Sequence, residues 1–151
     1  LANYADVLTD APLDDMVARF AASDAAASLL AVPPQSAFHC VQLSEQSRVD
    51  SVIGASTMPM WVNGGYFVLR PEVIDYIPEN GDLVGDACTE LAKRGKLLAY
   101  PYRGYWVPAD TVKERMELEA AYESGRRPWM LWEQRRDRTP LQSLIVQDAA
   151  V

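Results

Sequence analysis

The sequence is poor in the residues that most often announce a reaction. It has two cysteines, Cys40 and Cys88, in no CxxC or metal-ligand spacing, and one histidine, His39. A single disulfide remains open, but the expected reading is two buried thiols in a reducing compartment. His39 adjoins Cys40 in the apolar run 38–41. Neighbours on a strand point to opposite faces, so that adjacency alone makes no His–Cys catalytic pair. No phosphate-binding GxxxxGK[ST], zinc-binding HExxH, EF-hand loop or GxSxG elbow occurs. The longest apolar run, 25–34, is interrupted by Ser28 and falls far short of the ~20 residues that span a bilayer. No N-terminal stretch has the order of a signal peptide. A cytoplasmic protein without a membrane partner is expected. Positive charge is also short, with 14 Lys+Arg against 21 Asp+Glu and a net charge of −7. That balance argues against a nucleic-acid polymer, whose phosphates need many cations. It leaves room for a nucleotide, which a few local groups can hold.

What is present describes an ordinary core. The 151 residues are 49 % hydrophobic and 23 % charged, which excludes disorder, collagen and a coiled coil. One domain of this size buries about 68–70 % of its unfolded surface. Strand and helix patterns alternate, as in an α/β layer protein. Strands are expected over 1–4, 28–32, 37–43, 48–53, 60–70, 96–100 and 105–107, with 37–43 and 48–53 forming a hairpin. Helices are expected over 13–22, 83–94 and 112–124. The first is capped by Thr9 or Asp10, the second by Asp82, and the third by a Thr111/Glu114 capping box. Val112, Met116 and Ala120 read as the buried stripe of the last helix. Residues 60–70 are the strongest strand signal and are expected at the centre of the sheet. After Gly125 the character changes to a Trp/Arg-rich tail over 126–151. It holds Trp129, Trp132, Arg135, Arg136 and Arg138, with packing on the domain or a subunit contact as its two readings. Its last residues, 147–151, are expected to fray.

Chemistry is expected at strand ends. Asp6 follows the first strand, and Asp110 follows 105–107 just before a helix. Ligands in open α/β sheets gather at the carboxyl ends of strands. Two carboxylates there suit Mg²⁺, which takes one or two carboxylates plus substrate phosphates. Each also reads as a turn or cap residue. Asn63-Gly64-Gly65 lies inside the strongest strand, where glycine marks a bulge or a close approach of backbone to ligand. An Asn amide there can hydrogen-bond a sugar hydroxyl.

Four segments carry a resemblance, in matching order and spacing from Tyr4 to Glu133. Tyr4-Ala5-Asp6 resembles the Tyr-Gly/Ala/Ser-Asp segment of sugar-1-phosphate nucleotidylyltransferases. Asn63-Gly64-Gly65-Tyr66-Phe67-Val68-Leu69-Arg70-Pro71 and Gly104-Tyr105-Trp106-Val107-Pro108-Ala109-Asp110-Thr111 resemble segments of the glucose-1-phosphate cytidylyltransferases. Pro128-Trp129 and Trp132-Glu133 are similar to the tail of that family.

The resemblance implies a Rossmann-like nucleotide-diphospho-sugar transferase fold with a mixed sheet. It also implies an enzyme that joins a nucleoside triphosphate (NTP) to a sugar 1-phosphate with release of pyrophosphate. CTP and glucose 1-phosphate are the substrates of the type it is nearest to. Asp6 and Asp110 match the two catalytic aspartates that hold Mg²⁺. Asn63 and Gly64 match positions at the sugar pocket, and Trp106 lies next to it.

Two features of the family have no counterpart here. Its glycine-rich triphosphate loop is absent, so 1–125 is expected to be the C-terminal part of such a domain, with the N-terminal half missing. The Glu-Lys pair that precedes the Asn-Gly-Gly strand is replaced by Val52-Ile53-Gly54-Ala55, and no lysine occurs before Lys93. The chain alone is expected to be inactive and, with a sheet edge uncovered, to form a homo-oligomer. The alternative is a noncatalytic relative that binds a nucleotide or sugar in a regulatory or interaction role.

Overall fold

The computed structural model describes residues 1–35 and 38–136. Its spine is a four-stranded sheet in the order β1-β6-β3-β7, built from β1 (Ala2–Asn3), β6 (Val62–Leu69), β3 (Ala27–Val32) and β7 (Leu97–Pro101). β6 runs antiparallel to both β1 and β3, whereas β3 and β7 are parallel, so the sheet is mixed. As the sequence pattern predicts, β6 is an interior strand, with Phe67 and Val68 buried.

The sheet is covered on both faces because its strands alternate apolar side chains to two cores. On one face α1 (Leu13–Ala21) places Met16 and Phe20 against Leu30, Val32, Val68 and Tyr100. On the other, a π-wound turn over Leu83–Cys88 continues into α2 (Thr89–Lys93). There Ala87 and Leu91 meet Ala26, Ala27 and Val73. Asp82 caps this second helix through Val84 N–H and Gly85 N–H at 2.8 and 2.7 Å. Gly95 ends it at φ 67°, a left-handed conformation that suits glycine.

Two smaller ribbons flank the spine. β2 (Val7–Thr9) pairs antiparallel with β8 (Trp106–Pro108). β4 (His39–Leu43) and β5 (Val49–Gly54) form the expected hairpin. This hairpin stands in solvent, with Val41, Leu43, Val49 and Val52 each more than half exposed. Cys40 lies on it and is exposed, so only Cys88 is the buried thiol that was expected. All five residues of β4 are exposed.

Three further expectations are corrected. Neither Thr9 nor Asp10 caps α1: Pro12 occupies the cap, and Thr9 Oγ1 instead accepts from Ala11 N–H at 3.1 Å in a local turn. α3 (Val112–Glu123) forms with its full capping box, yet its stripe is not buried, and Val112 and Met116 are 77 % and 63 % exposed. The helix instead turns Arg115, Leu118, Glu119 and Tyr122 toward Leu8 and Trp129, around a groove of about 300 Å³. At 3.6 residues per turn that face lies roughly a third of a turn from the 112/116/120 stripe. Finally, the first strand is only two residues long. The tail begins with a turn and α4 (Leu131–Arg136), and Trp129 stacks on Tyr105 with ring centroids 5.5 Å apart. The tail therefore packs on the domain at Trp129. Residues 137–151, including Arg138 and the expected frayed end, lie outside the described residues, as do Ser36 and Ala37.

The contrast between β6 and α3 is testable by urea denaturation. Phe67→Ala is expected to cost about 3–5 kcal/mol through lost burial and the cavity it leaves. Met116→Ser is expected to change stability by less than about 0.5 kcal/mol.

Candidate functional site

The register of the β2–β8 ribbon brings the two candidate aspartates to one end. Val7 faces Pro108, Leu8 faces Val107 and Thr9 faces Trp106. One step beyond, the Asp6 carbonyl accepts from Ala109 N–H at 2.8 Å. Asp6 thus enters the ribbon where Asp110 leaves it, although 104 positions separate them in sequence. Both are exposed to solvent. A pair of open carboxylates fits Mg²⁺, a hard cation that completes its shell with water and phosphate oxygens. Among the described residues no group of three or more His, Cys, Asp or Glu gathers.

The Asn63-Gly64-Gly65 segment lies beside this ribbon, and its irregularity is real. The β3–β6 register shifts between Leu29 and Ala31, so the strand bulges where the glycines sit. Gly65 takes φ +74°, and a Cβ there would lie 2.7 Å from the Tyr4 ring. At Gly64 a Cβ would meet Leu30 at 3.0 Å. The Gly64 carbonyl accepts the indole N–H of Trp106 at 2.8 Å, and Tyr66 Oη donates to the Val7 carbonyl at 3.1 Å. These two bonds fasten the ribbon to the sheet. Trp106 itself is buried in the first core cluster, its polar atom committed to Gly64. Asn63 is half-buried. Its Nδ2 donates to Tyr4 Oη at 3.2 Å, and its Oδ1 accepts from Gly65 N–H at 2.9 Å. An amide has two protons and two lone pairs, so one of each remains for a ligand.

Several residues that shape the site carried no site role in the sequence, where Asp10 read only as a helix cap. Asp10 Oδ1 accepts from Tyr105 N–H at 2.8 Å and from the Tyr102 hydroxyl. It pins both ends of the 102–105 loop. Gln35 reaches the Trp106 carbonyl with its side-chain amide. At the loop's apex Arg103 lies over the ring of Trp61, 4.6 Å from its centroid. The Tyr-rich composition of 100–105 was the available signal, since a half-buried phenol needs an acceptor.

Burial, reinforced by the bond to Asp10, holds the Tyr102 hydroxyl well above its ordinary pKa of 10.0. Burial likewise raises Tyr105. A raised folded pKa contributes stability in full below the unfolded value, and that contribution is lost as pH climbs past about 10. Denaturation midpoints are therefore expected to fall from pH 10 upward. Tyr102→Phe is expected to flatten this alkaline loss while lowering stability at neutral pH, because Asp10 loses a donor.

No family model matches the chain. A glucose-1-phosphate cytidylyltransferase of Salmonella typhimurium is 40 % identical over 73 residues, which is 48 % of this chain and 28 % of that protein. A Bacillus subtilis protein named as a probable glucose-1-phosphate cytidylyltransferase is 28 % identical over 134 residues, 87 % of this chain and 52 % of its own length. The chain thus spans about half, or less, of the curated relatives it matches. A solved Bacillus anthracis structure, described provisionally as a glucose-1-phosphate thymidylyltransferase in complex with a sucrose, superposes with a TM-score of 0.54 at 18 % identity. That match covers 76 % of this chain and 50 % of the other, and it supports the fold. The chain is a relative of the sugar-1-phosphate nucleotidylyltransferases, homologous to glucose-1-phosphate cytidylyltransferases over part of their length.

Proposed function

We propose that this chain is the sugar-binding part of a sugar-1-phosphate nucleotidylyltransferase, with CTP and glucose 1-phosphate as its substrates. In that reaction a phosphate oxygen of the sugar 1-phosphate attacks the α-phosphorus of the triphosphate. The bond to the β-phosphate oxygen breaks, and pyrophosphate leaves with the electron pair. The chemistry requires two polyanions to be aligned and their charge offset, and little covalent help from the protein.

The observation that carries the reading is the joint geometry of the β2–β8 ribbon and β6. One hydrogen bond from Ala109 N–H to the Asp6 carbonyl sets Asp6 and Asp110 at a common end. A second, from Trp106 to Gly64, holds that ribbon against the glycine bulge. Asp6 and Asp110 would hold Mg²⁺, which supplies charge neutralisation at the phosphates. Asn63 offers its remaining amide proton and lone pair to sugar hydroxyls. Gly64 and Gly65 leave the strand without Cβ atoms beside Leu30 and Tyr4.

The test is binding followed by turnover. Glucose 1-phosphate is expected to shift the side-chain amide resonances of Asn63, and Mg²⁺ to tighten that binding. Asp110→Asn should remove the Mg²⁺ effect and leave the fold intact, because Thr111 and Glu114 still cap α3. Binding without any Mg²⁺ effect in the unaltered chain would favour a noncatalytic, sugar-binding role. The chain by itself is expected to release no pyrophosphate from CTP and glucose 1-phosphate, since it carries no triphosphate loop; release above a blank would refute that part.

A further inference from the structure

On the reading above, an acidic chain must bind an anion at this site. Arg70, at the far end of β6, is fully engaged: its Nε donates to the Ala25 carbonyl at 2.8 Å and its terminal nitrogen to the Ser23 carbonyl at 2.9 Å. Arg48 belongs to the hairpin turn. Arg103 differs. Among the described residues no carboxylate pairs with it, its residue is exposed, and its guanidinium carbon sits over the Trp61 ring, 4.6 Å from the centroid.

The position of Arg103 is imposed from several sides. Ala31 of β3 faces Asn63 of β6 and also Pro101 of β7. The same Ala31 carbonyl accepts from Tyr102 N–H at 2.8 Å. Asn63, Ala31 and the start of the 102–105 loop therefore form one row across the sheet, about 4.8 Å per step. Trp61, the residue under the guanidinium, is two positions before Asn63. Asp10 binds the Tyr102 hydroxyl and Tyr105 N–H. The Tyr102 ring folds back over Gly104, where any Cβ would collide with it. The loop is thus a braced turn whose apex is a cation. Stacking on an aromatic face occupies the face of a guanidinium and leaves its N–H edge free, which is the edge that grips a phosphate.

We propose that Arg103, held against Trp61, binds the phosphate of the sugar 1-phosphate while Asn63 holds the sugar. The inference rests on the nucleotidylyltransferase reading above. Stacking fixes the planar fork before the ligand arrives, so less side-chain freedom is lost on binding.

The experiment is a titration of the chain, and of Arg103→Gln and Arg103→Lys, with glucose 1-phosphate and with inorganic phosphate. It is followed by NMR at the Arg103 Nε–H, the Trp61 indole and the Asn63 amide. In the unaltered chain both ligands should move Arg103 and Trp61, and only the sugar phosphate should move Asn63. Arg103→Gln should weaken glucose 1-phosphate at least about tenfold, the order expected for a lost charged hydrogen bond, and should flatten its salt dependence. Arg103→Lys should recover part of the loss, because charge returns without the stacked fork. An unchanged Trp106 indole resonance in both variants reports that the fold is retained. If Arg103→Gln binds glucose 1-phosphate as tightly as the unaltered chain, the inference is overturned and the sugar-phosphate reading stands. If glucose 1-phosphate moves neither Asn63 nor Arg103 in the unaltered chain, the reading fails and the inference with it.

Discussion

The indole N–H of Trp106 donating to the Gly64 carbonyl is the bond on which the site depends. It joins two pieces that the sheet pairing leaves separate. β8 belongs to the small ribbon with β2, while Gly64 belongs to the main sheet. The bond exists because the strand bulges at the glycines and turns a carbonyl out of the ladder. A buried carbonyl without a partner costs roughly 1–3 kcal/mol, so the bulge and the tryptophan require one another. Replacing Trp106 by Phe would keep the ring and strand the carbonyl. The carboxylates at the ribbon's end inherit their position from this joint, and from the Tyr66–Val7 bond beside it.

Local pattern made much of this legible. The helix over 13–22, the caps at Asp82 and Thr111, and the dense apolar run of β6 each rest on interactions within a few residues. The structure bears each of them out. The glycine bulge was also visible, since two glycines inside a strong strand rarely serve the ladder. What local pattern could not supply was the partner of each face. The Val112/Met116/Ala120 stripe has correct helical spacing, yet α3 is rotated toward Leu8 and Trp129. Periodicity identifies a stripe, while tertiary contacts decide which stripe is covered. The same limit applies to Cys40, which lies in an apolar run and is nevertheless exposed on the hairpin.

The two aspartates show how far spacing can go. Nothing within ten residues of Asp6 refers to Asp110. Their place at one ribbon end depends on an antiparallel register between strands 97 to 101 positions apart, with Leu8 against Val107 at its centre. Periodicity had no means to reach that register, whereas strand-end position and the family resemblance both singled out the two residues. The resemblance gave no site role, however, to Asp10, Trp61 or Arg103. These residues belong to the braced 102–105 loop and its contact with β6, and they emerge only from side-chain geometry.

That loop changes the electrostatic problem of the site. A chain with net charge −7 that places two exposed carboxylates at one ribbon end repels a phosphate ester at long range. Screening at physiological salt limits that repulsion to about 8 Å, so the outcome is decided by the charges lining the cleft itself. A divalent cation between Asp6 and Asp110 would offset their charge at one end. The Arg103 guanidinium over Trp61, which pairs with no carboxylate among the described residues, would offer positive charge without a metal. On the proposed reading the sugar 1-phosphate would turn its phosphate toward these cations and its hydroxyls toward Asn63, because an uncharged amide offers a phosphate no offsetting charge.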